Sequence, residues 1–435
     1  MTMIRSNQLP LRIAVFTYSY FPAMTGISSL VHERISYLLR ENHTVRLFHP
    51  RVPQGEESVA NGAAGLNELR QLGQFSSVAF PSVPNPFRRS FPEAASWRVW
   101  DDSALLEEFS PDVILVDEAT GLFGAASAWI RGYGRPVGVR YAQKYNVPCI
   151  NLLQTDWVGY GEQHVGTLIF KLCQPLLRLM MKPVVEGYDA SLSPSNYLAT
   201  RNRSIYGHRV GHLGFHGVDC QRFTPDNLQF HPESDRETPV ILSTGRLTRE
   251  KNVWQLLEAF RHVHRELPEA QLVILGRGPL LGKLRAASRS FGDRVLLPGA
   301  LFGDELKGWY ARANIYWTAS VTENFSAAIL ESLASGTPVV AAAAGGNVEQ
   351  VVEGSCGHLV GVNDSRQMAA RSLELLRNPE RLRVMSLAAR ERALKLSLEV
   401  STDRLIEFAN RLIRQKRSAD LIPGDVLLSE LSVAG

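Results

Sequence analysis

Short apolar segments typical of buried strands alternate with amphipathic helical segments along most of the chain. In the first half, the apolar segment Arg12–Thr17 is followed by a loop, a helical segment from about Ser28 to Arg40 and a second strand at His43–His49. Strand, helix and strand in this order form the repeating unit of a parallel sheet that is covered by helices. The alternation therefore predicts an α/β fold.

The chain is long enough for two domains of this kind. Its 435 residues exceed what a single hydrophobic core usually supports. A polar segment bounded by Pro225 and Pro239 is typical of a hinge. After it, further strands are predicted at Val240–Thr244, Gln271–Leu275, Arg294–Leu297, Ala313–Trp317 and Val339–Ala343. We therefore expect two α/β domains with a cleft between them.

The expected division of the chain also includes a last helix. One stripe of that helix is apolar and consists of Leu405, Ala409, Leu412 and Ile413. In residue numbers, we expect an N-terminal domain at 1–225, a linker at 226–239, a C-terminal domain at 240–400, the last helix at 401–417 and a tail at 418–435.

Composition narrows the classes of partner and the compartment. A net charge of +4 with a pI near 8.9 suits anionic ligands or weak attraction to an acidic membrane, but it lacks the clustered excess of a nucleic-acid-binding protein. No apolar stretch reaches the length of about 18 residues that marks a spanning helix. The four cysteines are widely spaced and form no C-x-x-C pair: Cys149, Cys173, Cys220 and Cys356. This pattern predicts a reducing compartment and no structural metal. We expect a cytoplasmic protein, or one that is peripheral at the cytoplasmic membrane face.

The segment Thr318–Val340 combines a polar turn, a helical run and an apolar strand. Glu323 and Glu331 are eight residues apart in it, which is about 800° of helical rotation, so a helix that carried both would present them on one face. No basic residue follows Glu331 at helical spacing, which leaves it free to accept hydrogen bonds from vicinal hydroxyls such as those of ribose. The alternative is that both are ordinary solvated acidic residues.

The start of this predicted helix is a candidate anion site. The backbone N–H groups of Asn324, Phe325 and Ser326 would be exposed at its positive end, beside Glu323. A phosphate group fits such a site.

A basic loop follows the first predicted strand of the second half. In the segment Gly245–Asn252, Arg246 and Lys251 lie between a strand and a helix. There, a planar guanidinium and an ammonium group can clamp a diphosphate. The alternative is an exposed loop in which the basic side chains pair locally with Glu250.

Polar residues also follow predicted strands of the first half. Gln154 and Asp156 come after the strand Cys149–Leu153, at the edge of a parallel sheet where ligands collect. Gln154 can hydrogen-bond a hydroxyl, whereas Asp156 can serve as an acceptor or base, or cap the following helix. Gly26, between the first strand and helix, either lets a phosphate or sugar approach the following N–H groups or is a plain turn glycine.

A helical segment at Val165–Val185 combines an apolar face with Lys171, Arg178 and Lys182. Two interpretations stay open. The segment is either an interfacial helix at a membrane or a helix packed on its own domain.

The segment Thr318–Val340 resembles the E-x7-E signature of retaining GT-B glycosyltransferases, in the large family four that includes sucrose synthases, lipid mannosyltransferases and sulfoquinovosyltransferases. The GT-B resemblance implies two facing Rossmann-like domains and a C-terminal helix, at 401–417, that crosses back to the N-terminal domain. The usual form is E-G-F-G followed by E-A-x-A-x-G-x-P-V-V, so Asn324 and Ser326 stand at two family glycines. The basic loop resembles the motif G-R-x-x-x-E-K-G, with Asn252 at its last glycine. Gly345-Gly346 and Glu349 resemble the G-G-x-x-E turn that follows the signature.

The resemblance implies an enzyme that moves a hexose-type sugar from a nucleotide diphosphate sugar to an acceptor hydroxyl, with retention of the anomeric configuration. The acceptor would be a lipid, a glycan or a small metabolite, as in glycolipid or polysaccharide biosynthesis. The residues at matching positions would divide the work as follows: Arg246 and Lys251 bind the pyrophosphate, Glu331 the ribose and Glu323 the donor sugar, while Gln154 and Asp156 position the sugar or acceptor and Gly26 lies beside the donor phosphate.

The same resemblance implies neither a cofactor nor a metal, because basic residues take the role of a metal and no D-x-D motif is present. A UDP-sugar is slightly favoured over a GDP-sugar as donor. Two alternatives stay open: a noncatalytic partner that binds a nucleotide sugar or a lipid, and an epimerase or phosphorylase on the same scaffold. The oligomeric state is not predicted.

Overall fold

The computed structural model describes residues 9–17, 20, 26–50, 56–80, 82–84, 92–94, 103–117, 137–156, 158–159, 162, 166–207, 210–230 and 238–418. The chain divides into two compact units. Unit 1 contains the chain up to Phe215 together with the chain from Thr402, and unit 2 is His216–Ser401. Most of the expected linker and tail, residues 231–237 and 419–435, lies outside the described residues.

Unit 2 begins earlier than the boundary expected at residue 225. The N–H of Val218 donates to the carbonyl of Leu396 at 3.3 Å, and the N–H of Leu398 donates to the carbonyl of Val218 at 2.9 Å. Gly217 lies so close to the same segment that a Cβ atom there would be 2.4 Å from the carbonyl oxygen of Ser397. These backbone contacts tie residues 216–218 to the far end of unit 2.

The strands of unit 1 are β1 (Arg12–Thr17), β2 (Thr44–Pro50), β3 (Phe75–Phe80), β4 (Ser82–Pro84), β5 (Pro92–Ala94), β6 (Val113–Asp117), β7 (Cys149–Leu152), β8 (Ala190–Ser193) and β9 (Val210–His212). Its helices are α1 (Gly26–Arg40), α2 (Glu56–Leu72), α3 (Ser103–Phe109), α4 (Val137–Tyr145), α5 (Thr167–Val185) and α6 (Asn196–Tyr206).

The main sheet of unit 1 is parallel, in the order β3-β2-β1-β6-β7-β8-β9. Side chains of β1 alternate between two cores, with Ile13 and Val15 in one and Ala14 and Phe16 in the other. A parallel sheet buried on both faces needs continuous apolar strands of this kind. This is why the strands were recognisable as short apolar segments.

The strands of unit 2 are β10 (Val240–Thr244), β11 (Gln271–Leu275), β12 (Val295–Gly299), β13 (Ile315–Thr318), β14 (Val339–Ala342) and β15 (Gly357–Val360). Its helices are α7 (Val253–Glu266), α8 (Leu281–Ser288), α9 (Gly303–Arg312), α10 (Ala327–Ala334), α11 (Asn347–Gln350), α12 (Ser365–Leu376) and α13 (Pro379–Lys395), and α14 (Leu398–Arg417) follows. Three 3-10 turns span Pro225–Phe230, Arg249–Lys251 and Arg289–Arg294.

The sheet of unit 2 is also parallel, in the order β12-β11-β10-β13-β14-β15. In both sheets the strand order reverses beside the first strand, between β1 and β6 in unit 1 and between β10 and β13 in unit 2. Ligands of doubly wound sheets bind beyond the carboxyl ends of the strands at such points. The loops after these four strands are therefore the first places to look for a site.

The predicted fold class is confirmed. The five strands predicted in unit 2 agree with β10 to β14 to within two residues at their starts and ends, whereas β15 was not predicted. The apolar stripe of the last helix, whose members Leu405, Ala409, Leu412 and Ile413 are buried, packs into a core of unit 1. No helix in the described part of the chain combines the length and hydropathy needed to cross a bilayer.

Candidate active site

Two loops of unit 2 meet at the point where its strand order reverses. Residues 245–252 follow β10, and residues 319–326 follow β13. The backbone N–H of Val321 in the second loop donates to the carbonyl of Glu250 in the first at 3.1 Å. The two loops that carry most of the predicted donor residues are therefore joined directly.

Lys251 and Glu323 form an ion pair between these loops. Both side chains are mostly buried, with 22% of Lys251 and 14% of Glu323 exposed. Arg246 is different, because its Nη2 lies 3.3 Å from Oε1 of Glu250 and its side chain is 67% exposed. Arg246 is thus paired within its own loop, whereas Lys251 reaches a carboxylate in the loop after β13.

The first loop explains why an asparagine can replace the last glycine of the family motif. Asn252 has φ 51° and ψ 39°, in the left-handed region. Asparagine is one of the few residues other than glycine that adopt this conformation readily. The substitution therefore keeps the backbone path that leads Lys251 towards Glu323.

Glu323 does not lie on the helix that carries Glu331. Helix α10 begins at Ala327, and its N-cap is Ser326, whose Oγ accepts a hydrogen bond from the N–H of Ile329 at 3.4 Å. The argument that a spacing of eight places both carboxylates on one helical face is therefore wrong. The polar turn continues to Ser326, and Glu323 is held by that loop.

One of the three N–H groups of the expected anion site, that of Ser326, has a partner within the protein. The N–H of Ser326 donates to Oε1 of Gln350 at 2.7 Å, and Nε2 of Gln350 donates to the carbonyl of Ser326 at 2.8 Å. The Ser326 N–H is thus already bonded within the protein. Phe325 packs in an edge-to-face contact with His216, with ring centroids 5.8 Å apart.

The Gly345-Gly346 turn packs directly on the backbone of the Glu323 loop. The N–H of Gly346 donates to the carbonyl of Glu323 at 2.8 Å. A Cβ atom on Gly345 would lie 2.0 Å from the carbonyl oxygen of Glu323, and one on Gly346 would lie 2.0 Å from that of Asn324. No side chain fits at either position, so this turn holds the loop that presents Glu323.

Replacing Gly346 by alanine should displace this loop and destabilise the protein. Gly346 has φ −70°, a value that alanine adopts without strain, so the effect would come from the contact with Asn324. Overpacking of this kind costs about 1–3 kcal/mol in the free energy of unfolding, which urea denaturation measures. Gly282→Ala is the matched control, because its Cβ would meet nothing within 4 Å; equal stability of the two variants would contradict this role.

Glu331 lies on α10 and has a partner that the sequence did not indicate. Its Oε2 accepts a hydrogen bond from the buried hydroxyl of Tyr310 at 2.7 Å. The Tyr310 hydroxyl also lies 2.6 Å from Oγ1 of Thr244 at the end of β10. The Tyr310 ring makes an edge-to-face contact with Phe223, with centroids 5.7 Å apart. The expectation that Glu331 is free of protein partners is therefore wrong for Oε2.

The carboxylates of Glu323 and Glu331 both affect the pKa of the buried Tyr316 hydroxyl. Burial raises the pKa of Tyr316, and the negative charges of Glu331 and Glu323 add to that rise. Burial likewise raises the pKa of Glu331, while the hydrogen bond from Tyr310 and the charge of Arg222 oppose the rise. The charges of both glutamates therefore reach the Tyr316 hydroxyl, although no helix carries both residues.

In unit 1, Gln154 belongs to a buried cluster at the carboxyl ends of β6 and β7. Its Nε2 donates to Oδ1 of Asp117, and Arg34 of α1 forms an ion pair with Oδ2 of the same carboxylate. Arg34 also donates to the carbonyl of Phe215 at 3.1 Å. Asp117 is paired in register with Thr17 of β1, so the cluster lies where the strand order reverses.

Asp156 is held by neighbours of its own unit. Its Oδ1 accepts the N–H of Gly159 at 2.8 Å, and its Oδ2 accepts Nε of Arg201 at 2.7 Å. Arg201 also bonds Glu162 at 3.0 Å. The contact with Gly159 is the one expected of a capping residue, and the Arg201 guanidinium holds the other carboxylate oxygen in place.

Gly26 is the first residue of α1. A Cβ atom there would meet nothing within 4 Å. Packing against the described residues therefore does not require glycine at this position. Among the described residues, no group of three or more His, Cys, Asp or Glu side chains is arranged to hold a metal ion.

The comparisons with known proteins agree with this architecture. A family profile described as "Glycosyl transferases group 1" matches residues 226–392. A GDP-mannose-dependent alpha-mannosyltransferase of Mycobacterium tuberculosis is 28% identical over 404 residues, which cover 91% of this chain and 95% of that protein. Sulfoquinovosyl transferase SQD2 of Arabidopsis thaliana is 30% identical over 414 residues, 91% of this chain and 72% of that protein.

The chain belongs to the group 1 glycosyltransferases. Among solved structures, Anabaena HepE in complex with UDP superposes with a TM-score of 0.68 at 17% identity, covering 92% of this chain and all of that chain. This likeness shows the GT-B fold. As a group 1 glycosyltransferase, the protein transfers a sugar from a nucleotide sugar to an acceptor.

Five residues that contact the candidate site residues or their neighbours were not identified from the sequence: Arg34, Asp117, Arg201, Tyr310 and Gln350. Asp117 had a signal, because it ends a buried strand as directly as Gln154 follows one. For Tyr310 and Gln350 no local pattern exists, since their partners come from other elements. Only the folded chain brings them to Glu331 and Ser326.

Proposed function

We propose that this glycosyltransferase moves a hexose-type sugar from a nucleoside diphosphate to an acceptor hydroxyl with retention of the anomeric configuration. The bond from the anomeric carbon to the diphosphate oxygen breaks, and a bond from that carbon to the acceptor oxygen forms. The proton of the acceptor hydroxyl leaves to the departing diphosphate or to solvent. No metal is part of this proposal.

The observation that carries the proposal is the Lys251–Glu323 ion pair between the loops after β10 and β13, at the strand-order reversal of unit 2. An ammonium group held among mostly buried carboxylates is positioned for an anion that gathers charge as the reaction proceeds. Preorganised cations stabilise such a transition state more than the ground state. We assign Lys251 and Arg246 to the diphosphate and Glu331 to the ribose diol.

Glu323 is assigned to the donor sugar. Its Oε1 faces Lys251, so the carboxylate is held near the position of the phosphate and its remaining acceptor capacity is available for sugar hydroxyls. A carboxylate there also stabilises positive charge at the anomeric carbon. Gln154 and Asp156 keep a positioning role, because their partners hold both side chains in place. Gly26 leaves room for a ligand at the start of α1.

The donor base and the acceptor are proposed from the family resemblance and from the names of the relatives. We keep UDP as the favoured base, and the name of the mycobacterial relative makes GDP its main competitor. A lipid, a glycan and a small metabolite are all candidate acceptors. The two named relatives transfer different sugars, mannose in one case and sulfoquinovose in the other. The proposed location is the cytoplasm, including the cytoplasmic face of a membrane.

Calorimetric titration with UDP, GDP and ADP, without added metal, tests the donor site. We expect one nucleotide to bind selectively and Arg246→Ala to weaken it about tenfold to a hundredfold, as loss of a charge-assisted hydrogen bond to phosphate predicts. Arg383→Ala is the matched control, because Arg383 is also exposed and paired locally, with Glu380 at 2.8 Å. Equal binding by both variants would remove Arg246 from the site.

Failure of the folded wild-type protein to bind any nucleotide would overturn the donor site and favour a noncatalytic partner. If a nucleotide sugar binds, NMR of the transfer product gives the anomeric configuration. Inversion would overturn the retaining assignment while leaving the donor site intact. Release of nucleotide without an acceptor, accompanied by an epimerised sugar, would favour the epimerase.

A further inference from the structure

Helix α5 of unit 1 exposes an aliphatic stripe. Five large side chains, each between 56% and 74% exposed, lie on this one helix: Leu168, Ile169, Leu172, Leu176 and Leu179. Among the other described residues of unit 1, the large apolar side chains that are comparably exposed are only Leu9 and Tyr145. Among the residues of unit 1 that the structure describes, exposed large apolar side chains are therefore concentrated on α5.

The opposite side of α5 is seated in its own unit. Phe170 is buried in a core of unit 1, and Leu177 packs against the same core. At about 100° per residue, Leu168, Leu172 and Leu179 lie within a narrow arc roughly opposite these two side chains. The helix is thus fixed by one face, and the apolar stripe on its other face points to solvent.

A positive flank runs beside this stripe. Arg178 and Lys182 follow Lys171 by seven and eleven residues. The three side chains therefore lie within about 40° of each other around the helix axis. No acidic residue occurs between Gly166 and Val185. The side chain of Lys182 is 64% exposed, and that of Lys171 is also exposed. The helix therefore presents aliphatic and cationic strips side by side.

We propose that α5 docks unit 1 on a phospholipid bilayer with an anionic surface, the helix lying flat with its aliphatic stripe among the lipid chains near the headgroups. Helices that bind in this way carry leucines on one face and Lys or Arg on the polar side. Protein interfaces differ, since their centres are enriched in aromatic residues and depleted of lysine, whereas the exposed stripe is aliphatic and flanked by lysines. The positive charges fit an acidic lipid surface.

Vesicle flotation of the full-length protein tests this surface. We expect binding to vesicles of phosphatidylcholine with phosphatidylglycerol, weakened by salt, and less binding to phosphatidylcholine alone. Leu172→Gln with Leu176→Gln should lower the bound fraction at least tenfold, since two buried aliphatic groups are lost. Leu387→Gln with Leu394→Gln is the matched control, because these leucines are similarly exposed on α13 of unit 2.

A second pair of substitutions tests the positive flank. Lys171→Gln with Lys182→Gln should lower affinity for the anionic vesicles by about fivefold per charge and leave weak binding to phosphatidylcholine unchanged. Lys395→Gln is its control, because Lys395 is exposed and pairs with Glu391 four residues away, as Lys182 pairs with Glu186. Circular dichroism checks that every variant remains folded.

Three outcomes would overturn the proposal. The wild-type protein could fail to bind either vesicle, or the α5 variants could bind as well as the wild type. The third is concentration-dependent self-association that the leucine variants abolish, which would assign the stripe to a second copy of the chain. The proposal does not rest on the donor site, because nucleotide titration and vesicle binding are measured separately and each can fail alone.

Discussion

Replacement of Lys251 by methionine should lower kcat/KM for sugar transfer by about two to three orders of magnitude, the loss typical when one preorganised stabiliser of a developing anion is removed. Methionine keeps most of the length of the side chain and removes its charge. The variant therefore loses the cation assigned to the departing diphosphate. It also leaves Glu323, only 14% exposed, without its ion-pair partner. Steady-state kinetics with a fixed acceptor measure the effect.

Glu323→Gln and the double variant show whether the two residues act as a unit. If they do, the double variant should lose much less than the product of the single losses. Lys395→Met is the control for a lysine in an exposed local ion pair and should leave kcat/KM unchanged. A Lys251→Met enzyme with wild-type kcat/KM would remove Lys251 from the reaction.

The fold was predictable because its signal is local. Strands of a parallel sheet are buried on both faces, so β10 and β14 read as continuous apolar segments. The last helix was predictable for a similar reason, since its stripe of Leu405, Ala409, Leu412 and Ile413 needs an apolar partner. The sequence could not show which residues begin unit 2, because that depends on backbone bonds between Val218 and Leu398.

The candidate site was predictable in its residue types and less so in its geometry. Periodicity suggested one helix with Glu323 and Glu331 on a common face, but a serine before an apolar run is an N-cap signal, and Ser326 is where α10 is capped. The partners of the site come from distant elements. Gln350 and Tyr310 reach their targets through tertiary packing, which no local pattern encodes.

Replacement of Glu331 by glutamine should weaken nucleotide binding and stabilise the protein at the same time. A charged acceptor for the ribose hydroxyls is lost, and hydrogen bonds to charged groups contribute about 1.5–3 kcal/mol each, so the dissociation constant should rise about tenfold to a hundredfold. Burial raises the pKa of Glu331, which means that the folded state favours the neutral carboxyl. Above the usual carboxyl pKa the unfolded chain ionises this group freely whereas burial opposes its ionisation in the folded chain, and glutamine removes that cost.

The pH dependence separates this effect from a general change in packing. Because the pKa of Glu331 is higher in the folded than in the unfolded chain, the folded chain binds more protons in the interval between the two values, and wild-type stability falls as pH rises through that interval. The difference in melting temperature between Glu331→Gln and wild type should therefore be small below the usual carboxyl pKa and largest at neutral pH. A difference that does not change with pH would show that packing, rather than ionisation, sets the stability of this site.

The Tyr310→Phe variant tests whether the charge of Glu331 controls nucleotide binding. The Tyr310 hydroxyl stabilises the ionised carboxylate through its hydrogen bond, so its removal should raise the pKa of Glu331 further. Nucleotide affinity, which needs the carboxylate form, should then decline at a higher pH in this variant than in wild type when titrations are run towards acid. Tyr206→Phe is the control, because Tyr206 is also a buried tyrosine but belongs to a core of unit 1 and is not among the groups that shift the pKa of Glu331. The same pH midpoint in Tyr310→Phe and wild type would mean that Tyr310 positions α10 without controlling the charge of Glu331.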